Sequence, residues 1–152
     1  MISLLVHAVL GVGTTALMIK WNARLFRRWP GSGVSLLEAI YVIVGFASVA
    51  LGWYCNIRYV QQFGRQASWV HFTQSLFSNW AASSAAQDYI IANVILFPLW
   101  TITDGRRRGI RRPWIFFVMS LFTSFAFSMA AYLLTTERQV KVDARKQDTL
   151  TP

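Results

Sequence analysis

The sequence has few acidic residues and almost no cysteine. It contains six Asp and Glu residues against fifteen Lys and Arg, a formal net charge of +9, and Cys55 is its only cysteine. A lone cysteine cannot form an intrachain disulfide, and without a CxxC pair the chain does not fit a membrane thiol oxidoreductase. Nucleic-acid binders gather basic residues on one soluble face, whereas here they lie between apolar stretches. Nucleic acid is therefore excluded as a partner.

Charged residues of either sign are also scarce. They make up 14% of the chain, against 55% hydrophobic residues, whereas an average soluble domain is about a quarter charged. The composition predicts an integral membrane protein. The first apolar stretch has no basic segment before it and no small-residue cleavage site, so we expect a retained helix rather than a signal peptide.

Four apolar stretches are long enough to cross a bilayer, which takes about 20 residues. We therefore predict an all-α fold, an integral membrane four-helix bundle formed by residues 1–135, with a polar and flexible tail at 136–152. The predicted spans are residues 1–19, 36–57, 85–103 and 114–135.

Local signals place the ends of these spans. Ser35 and Glu38 have the spacing of a capping box at the start of the second span, and Ser84 has the same spacing to Gln87 at the start of the third. Pro98 should kink the third span because it removes a backbone donor. Gly105 is a natural left-handed cap after that span.

An additional amphipathic helix is predicted at residues 68–80, between spans two and three. Trp69, Phe72, Leu76 and Trp80 recur at helical spacing among polar residues. This stretch is too short and too polar to cross a bilayer, and it suits a helix lying in the membrane interface.

The basic residues predict the orientation. Residues 20–35 carry four of them, 58–83 carry two and 104–112 carry five. Loops rich in Lys and Arg stay in the cytoplasm. We therefore expect both termini outside and loops 20–35 and 104–112 inside. The cytoplasmic basic loop comprises Arg106, Arg107, Arg108, Arg111 and Arg112. The membrane we expect is the bacterial inner (cell) membrane.

Small residues at helical spacing predict close helix packing. Glu38, Gly45, Gly52 and Asn56 fall on one side of the second span, which should face protein. The predicted packing residues are Gly11, Gly45, Gly52, Ser120, Ser124 and Ser128.

The central and C-terminal parts resemble a family of small bacterial and plant membrane proteins catalogued as a domain of unknown function. The resemblance covers about residues 52–138 and rests on the Ala- and Ser-rich segment 81–86 with Asp88, the Asp-Gly-Arg-Arg at 104–107, Arg112 with Trp114, and Arg138. Asp104 stands where the family has glutamate, and residues 130–134 lack an expected proline. The resemblance implies a compact helical membrane module and supplies no activity.

Two acids flank the third span. Asp88 and Asp104 are separated by about 24 Å of helix, so they lie near opposite membrane surfaces. We interpret Asp88 as a first-turn acid, and Asp104 either as a salt-bridge partner of the arginines at 106–108 or as a partner in the Asp-Gly turn. Asn93 is expected to hydrogen-bond a serine of the fourth span. The candidates for binding a ligand or lipid are Asp88, Asn93, Phe97, Trp100 and Asp104, of which all but Asp88 share one face.

No metal site and no cofactor are predicted. His7, His71 and Cys55 are metal-ligand types on the expected outer side, but their spacing matches no established motif. The sequence leaves open whether a lipid or pigment binds in a groove between helices, whose candidate walls are Phe97, Trp100 and Phe116.

The leading functional hypothesis is a non-catalytic accessory or scaffold protein that packs against other membrane subunits and membrane lipids. The chain has no nucleophile–base pair, metal motif or mid-membrane acid, and it has several small-residue faces. The alternative is a small membrane enzyme or binding protein for a hydrophobic ligand, such as an isoprenoid, pigment or lipid, with Asp88 or Asp104 as the acid. A transporter is disfavoured because coupling sites normally lie near the membrane midplane, and no charged residue of this chain is expected there.

Overall fold

A computed structural model of the chain describes residues 2–26 and 33–149, and within that part the regular structure is entirely helical. Three helices are long and apolar enough to cross a membrane: Leu4–Trp21, Leu36–Gln66 and Trp80–Arg107. The prediction of an all-α membrane protein is confirmed at this level, whereas a bundle of four spans is not.

The elements follow one another along the chain without a strand in the described part. The α-helices are α1 (Ile2–Trp21), α2 (Ala23–Phe26), α3 (Leu36–Phe63), α4 (Trp69–Leu76), α5 (Trp80–Ile90), α6 (Phe97–Arg107), α7 (Ile115–Phe122) and α8 (Phe125–Asp148). A 3₁₀ turn at Gly64–Gln66 follows α3, and a π-helical segment at Ile91–Leu96 joins α5 to α6.

The predicted capping box at the start of α3 is confirmed. The Ser35 hydroxyl accepts a bond from the Glu38 amide, and a Glu38 carboxylate oxygen accepts one from the Ser35 amide at 2.9 Å. The helix runs six residues past the predicted end, to Phe63. It stops there because Gly64 takes up a positive φ of 51°.

The third long helix begins earlier than predicted. Asn79 caps it by accepting a bond from the Ala82 amide at 2.9 Å, and the helix starts at Trp80. Ser84, predicted to cap the helix, therefore lies inside it. Asp88 is in the third turn, so the first-turn explanation of this acid does not hold.

The other end of this helix also differs from the prediction. Gly105 is helical and buried, and the first residue with a positive φ after it is Gly109, at 69°, followed by Arg112 at 51°. A Cβ on Gly105 would lie 2.6 Å from the Cβ of Pro113, so its missing side chain allows close packing instead. Pro98 follows the π-helical segment, which takes up the loss of its backbone donor.

The predicted fourth span is not one continuous helix. α7 ends at Phe122, the backbone leaves helical geometry at Thr123, and Ser124 caps α8 by accepting from the Phe127 amide at 3.0 Å. The chain then reverses: the Ser128 hydroxyl donates to the Phe116 carbonyl, and the Tyr132 and Phe116 rings meet at 5.1 Å. α7 and α8 form a helical hairpin.

This hairpin reaches only part of the way along the long helices. The eight residues of α7 rise about 12 Å, less than half of a hydrocarbon core about 30 Å thick. Its tip packs against the middle of α1, where a Cβ on Gly11 would lie 2.9 Å from the Phe122 carbonyl oxygen.

α8 runs antiparallel to α3. Ser124 meets Ser48, and the start of α3 meets α8 where Lys141 Nζ lies 2.9 Å from the Glu38 carboxylate. α8 therefore ends at the end of the bundle where α3 begins, opposite the start of α1. The expectation that both chain ends lie on one side does not fit this geometry.

The tail expected to be flexible from residue 136 is helical to Asp148. Its first turns hold buried residues, including Arg138 and Gln139. Arg138 pairs with Glu38, 100 positions away, and Gln139 accepts a bond from Arg24, 115 positions away, so local composition could not reveal these contacts.

The interfacial helix is shorter than predicted. α4 is capped by Ser68 and ends at Leu76, and Trp80 belongs to the next helix. α4 is fixed to α3 by His71, whose Nδ1 lies 2.7 Å from the Tyr59 hydroxyl.

The hydrophobic core lies between the hairpin, α1 and α6. Its buried residues are Met18, Phe97, Ile110, Ile115, Phe116, Met119 and Tyr132.

Candidate functional site

The hairpin packs against the predicted face of the third long helix, Trp80–Arg107, burying Asn93 and Phe97 and leaving Trp100 42% exposed. Asn93 is buried and accepts a hydrogen bond from the Ser120 hydroxyl at 2.7 Å, so the predicted interhelical bond is confirmed. Phe97 packs edge-on against Phe125 at 5.2 Å. Trp100 meets the ring of Tyr132 at the same distance. Three of the five candidate ligand-binding residues therefore pack against protein.

Asp104 joins the end of α6 to α8. Its Oδ2 accepts bonds from the Tyr132 hydroxyl at 2.6 Å and from Arg108 Nε at 2.7 Å. The predicted salt bridge is confirmed for Arg108, and this bond raises the pKa of the Arg108 guanidinium. Tyr132 lies 28 residues away, and sequence reasoning missed it. These bonds offset the unfavourable position of an acid at a helix C-terminus.

Glu38 has a larger role than capping. Its buried carboxylate meets Lys141 Nζ at 2.9 Å and Arg138 Nε at 3.5 Å. The Arg138 guanidinium also lies over the Phe26 ring, 4.7 Å from its centroid. Burial lowers the pKa of Arg138, and Glu38 opposes that shift. We call Glu38, Arg138 and Lys141 the ionic cluster.

The basic loop after α6 is attached to the end of α1. Asn22 is buried, and its side chain bonds both the carbonyl and the amide of Arg111. The Arg112 guanidinium lies 4.4 Å from the centroid of a Trp21 ring. Arg24 donates to the Gly109 carbonyl and to Gln139, both at 2.9 Å. The arginines of the predicted basic loop, Arg106, Arg107, Arg108, Arg111 and Arg112, are all exposed. Arg106 and Arg107 belong to the last turn of α6 and not to a loop, because the helix continues past Gly105.

The predicted small packing residues have different surroundings. Gly11 and Gly45 face close neighbours, whereas a Cβ on Gly52 would meet no atom within 4 Å. The three serines do not form one helix face, because the break at Thr123 separates them. Ser120 donates to Asn93, Ser124 caps α8, and Ser128 donates to Phe116 across the hairpin.

The half of α3 beyond Ser48 is largely uncovered. Gly52 and Asn56 continue the face that carries Glu38 and Gly45, yet α8 begins at Phe125, beside Ser48. Asn56 is exposed. We call Gly52 and Asn56 with the adjoining surface of α3 the open outer face. On the third helix Asp88 is also exposed, and Gln87 donates to its carboxylate at 2.9 Å.

The weak metal-ligand candidates occupy separate surroundings. His7 lies against the Trp69 and Phe122 rings, His71 bonds Tyr59, and Cys55 is exposed. Among residues 2–26 and 33–149, no group of three or more His, Cys, Asp or Glu side chains is arranged to hold a metal ion.

Comparison with known proteins gives a family. No curated protein and no solved structure matches the chain. The family model described as "Protein of unknown function DUF2834" matches residues 40–138, which begins earlier than the resemblance seen in the sequence and ends at the same arginine. The match takes in most of α3, the third long helix, α7 and the first part of α8 as far as Arg138 of the ionic cluster. The chain belongs to this family.

Proposed function

We propose that this protein is a non-catalytic accessory or scaffold subunit that binds a transmembrane helix of another membrane protein at its open outer face. The observation that carries the proposal is the early end of the hairpin at the Ser48–Ser124 contact. α8 packs against α3 from Glu38 to Ser48, and none of the described helices runs beside Gly52.

The residues of the open outer face suit a helix partner better than lipid. Small residues let two helix backbones approach closely, and Gly52 has space for such an approach. Asn56 lies about 12 Å beyond Ser48 along the helix, within the outer half of a core about 30 Å thick. An exposed amide at this depth gains from a hydrogen-bonding partner, because lipid tails offer none.

Asp88 and Gln87, on α5, are two further polar side chains that a partner helix could contact. Both are exposed, and Asp88 lies about 24 Å from Asp104 along the helix. An acid close to the outer surface would favour a partner with a basic or amide side chain at the same height.

We further propose a multi-pass protein of the bacterial inner membrane whose basic end is cytoplasmic. The segments 20–35 and 104–112 and the C-terminal half of α8 carry four, five and four basic residues, against Arg58 and Arg65 toward the other end. The contacts of Arg24 with Gly109 and Gln139, and of Glu38 with Lys141, bring these segments together at one end of the bundle. The C-terminal end of α8 is therefore cytoplasmic in this proposal, which agrees with the positive-inside rule.

The alternative of an enzyme or carrier for a hydrophobic ligand ranks second. It needs Asp88 or Asp104 as the acid, and Asp104 already accepts bonds from Tyr132 and Arg108 through one oxygen. An Asp88→Asn variant that restores a deletion strain fully would argue further against it.

Site-specific photo-crosslinking in native membranes tests the proposal. A benzophenone amino acid replaces Gly52 or, as a control on the same helix, Ile43, which is 67% exposed. We expect a discrete protein adduct from Gly52 and only lipid adducts from Ile43. Gly52→Leu should also release the co-purifying subunit in mild detergent, while Ile43→Leu should not. Lipid adducts alone at both positions would overturn the proposal.

A further inference from the structure

A surface cleft lies where α1 passes into α2, at the end of the molecule opposite the open outer face. It has a volume of about 430 Å³ and is lined by Ala16, Ile19, Lys20, Ala23 and Phe26. Four of these side chains are apolar and one is a cation. The cleft falls within the size range of small-molecule and cofactor sites, about 300–1,000 Å³.

The position of α2 is fixed by contacts on its inner side. Asn22 interrupts the helix and is held by its bonds to the Arg111 backbone. Leu25 is fully buried, and the Arg138 guanidinium covers one face of Phe26. These contacts hold Ala23 and Phe26 as one wall of the cleft, so its shape is set by the packing of α8 and the basic loop.

The charge in and around the cleft is positive. Lys20 is exposed in the last turn of α1, and the ion pairs of the described residues involve Arg108, Arg138 and Lys141 instead. The sequence contains no acid before Glu38, which the ionic cluster already uses. The neighbouring exposed cation, Arg24, bonds only neutral groups among its assigned contacts, the Gly109 carbonyl and Gln139.

The depth of the cleft matches the boundary between acyl chains and headgroups. The apolar window of α1 is Leu4–Trp21, and Lys20 lies about 11 Å from its middle along the helix. The hydrocarbon core ends about 15 Å from the midplane, and a lysine side chain extends far enough to place its ammonium among the phosphates. Ala16 and Ile19 then lie beside acyl chains.

We infer that this cleft binds one anionic phospholipid of the leaflet at the basic end, with its phosphate on Lys20 and an acyl chain along Ala16, Ile19 and Phe26. The positive charge of Lys20 and Arg24, which form no ion pair among the described residues, favours an anionic lipid. A zwitterionic lipid would bring its own ammonium group into this positively charged region. This site is separate from the partner surface proposed above, and only the naming of its leaflet as cytoplasmic depends on the proposed orientation.

Native mass spectrometry of the full chain tests the inference. The protein is taken from mixed micelles with equal amounts of phosphatidylglycerol and phosphatidylcholine, and retained lipids are counted. We expect one strongly retained phosphatidylglycerol in the wild type, and about fivefold weaker retention in Lys20→Gln. The matched control is Lys146→Gln, which removes an exposed cation from the last turn of α8 and should leave retention unchanged.

A second pair of variants tests the apolar part of the site. Ala16→Leu narrows the cleft without changing charge and should also weaken retention, whereas Val12→Leu, at a position 71% exposed and outside the cleft, should not. If Ala16→Leu had no effect while Lys20→Gln did, the site would bind a phosphate group without its acyl chain and the inference would fail. Equal retention of the two lipids, or equal losses in Lys20→Gln and Lys146→Gln, would also overturn it. None of these outcomes bears on the partner subunit, which is tested at Gly52.

Discussion

The hydroxyl oxygens of Ser48 and Ser124 lie 3.0 Å apart and mark where the hairpin ends against α3. Ser48 is in the middle of a helix long enough to cross a membrane, whereas Ser124 caps a helix that starts there and runs back toward the basic end. On the face of α3 that carries Glu38 and Gly45, this contact separates the half packed against α8 from the largely uncovered half beyond Ser48.

The first prediction concerns the side on which α8 ends. In a Cys55→Ser background, cysteines introduced at Arg106 and Thr149 should react with an impermeant maleimide only after the membrane is permeabilised. A cysteine at Gln66, beyond the other end of α3, should react in intact cells. Labelling of Thr149→Cys but not of Arg106→Cys in intact cells would place the end of α8 on the opposite side from the basic loop, contrary to the antiparallel packing. Labelling of both in intact cells would overturn the proposed orientation instead.

The ionic cluster should contribute strongly to stability. Glu38→Gln removes the carboxylate that pairs with the buried Arg138 and with Lys141, and breaking a buried ion pair in this way costs about 3 kcal/mol. Thermal unfolding in mild detergent should show a clear loss. Glu137→Gln is the control, because Glu137 neighbours Arg138 on α8 and takes part in no ion pair of the described residues. Equal effects of the two changes would show that the cluster adds nothing specific.

The bond from Tyr132 to Asp104 should hold α8 against the end of α6. Tyr132→Phe removes a buried donor to a charged group, which should reduce the free energy of unfolding by about 2 kcal/mol. Tyr54→Phe, at a tyrosine 63% exposed, should change it little. A Tyr132→Phe protein as stable as the wild type would mean that the Asp104–Arg108 pair alone suffices.

Two glycines should respond in opposite ways to alanine. Gly105→Ala places a Cβ 2.6 Å from Pro113 and should destabilise the fold by about 1–3 kcal/mol through overpacking. Gly52→Ala meets open space in the isolated protein and should be neutral or slightly stabilising, since alanine favours helix. Urea or heat unfolding of the purified variants compares them directly, and a tolerant Gly105 would show that the loop after α6 can move away.

Much of the secondary structure could be predicted from the sequence, because local rules govern it. Apolar length located three helices that can cross a membrane, and the Ser35–Glu38 spacing gave a real cap. The errors arose where two local signals competed. Asn79 caps the third helix instead of Ser84, and Gly109 takes the left-handed position instead of Gly105.

Part of the candidate site followed from helical spacing as well. Spacing alone puts Asn93, Phe97, Trp100 and Asp104 on one face, and the hairpin contacts each of them. No local signal marks the reversal of the chain at Thr123, because residues 114–135 have the length and apolarity of a full span. Apolar composition specifies that a segment enters a membrane and does not specify whether it leaves on the other side.

The sequence by itself determined the membrane class, the three long helices and the clustering of basic charge, since each depends on residues near one another in the chain. Tertiary structure alone decided that the last apolar segment is a hairpin, that Glu38 meets Arg138 and Lys141, and that Gly52 lies in the open. These features depend on where distant segments meet, and only packing of the helices against one another fixes which side chains are covered.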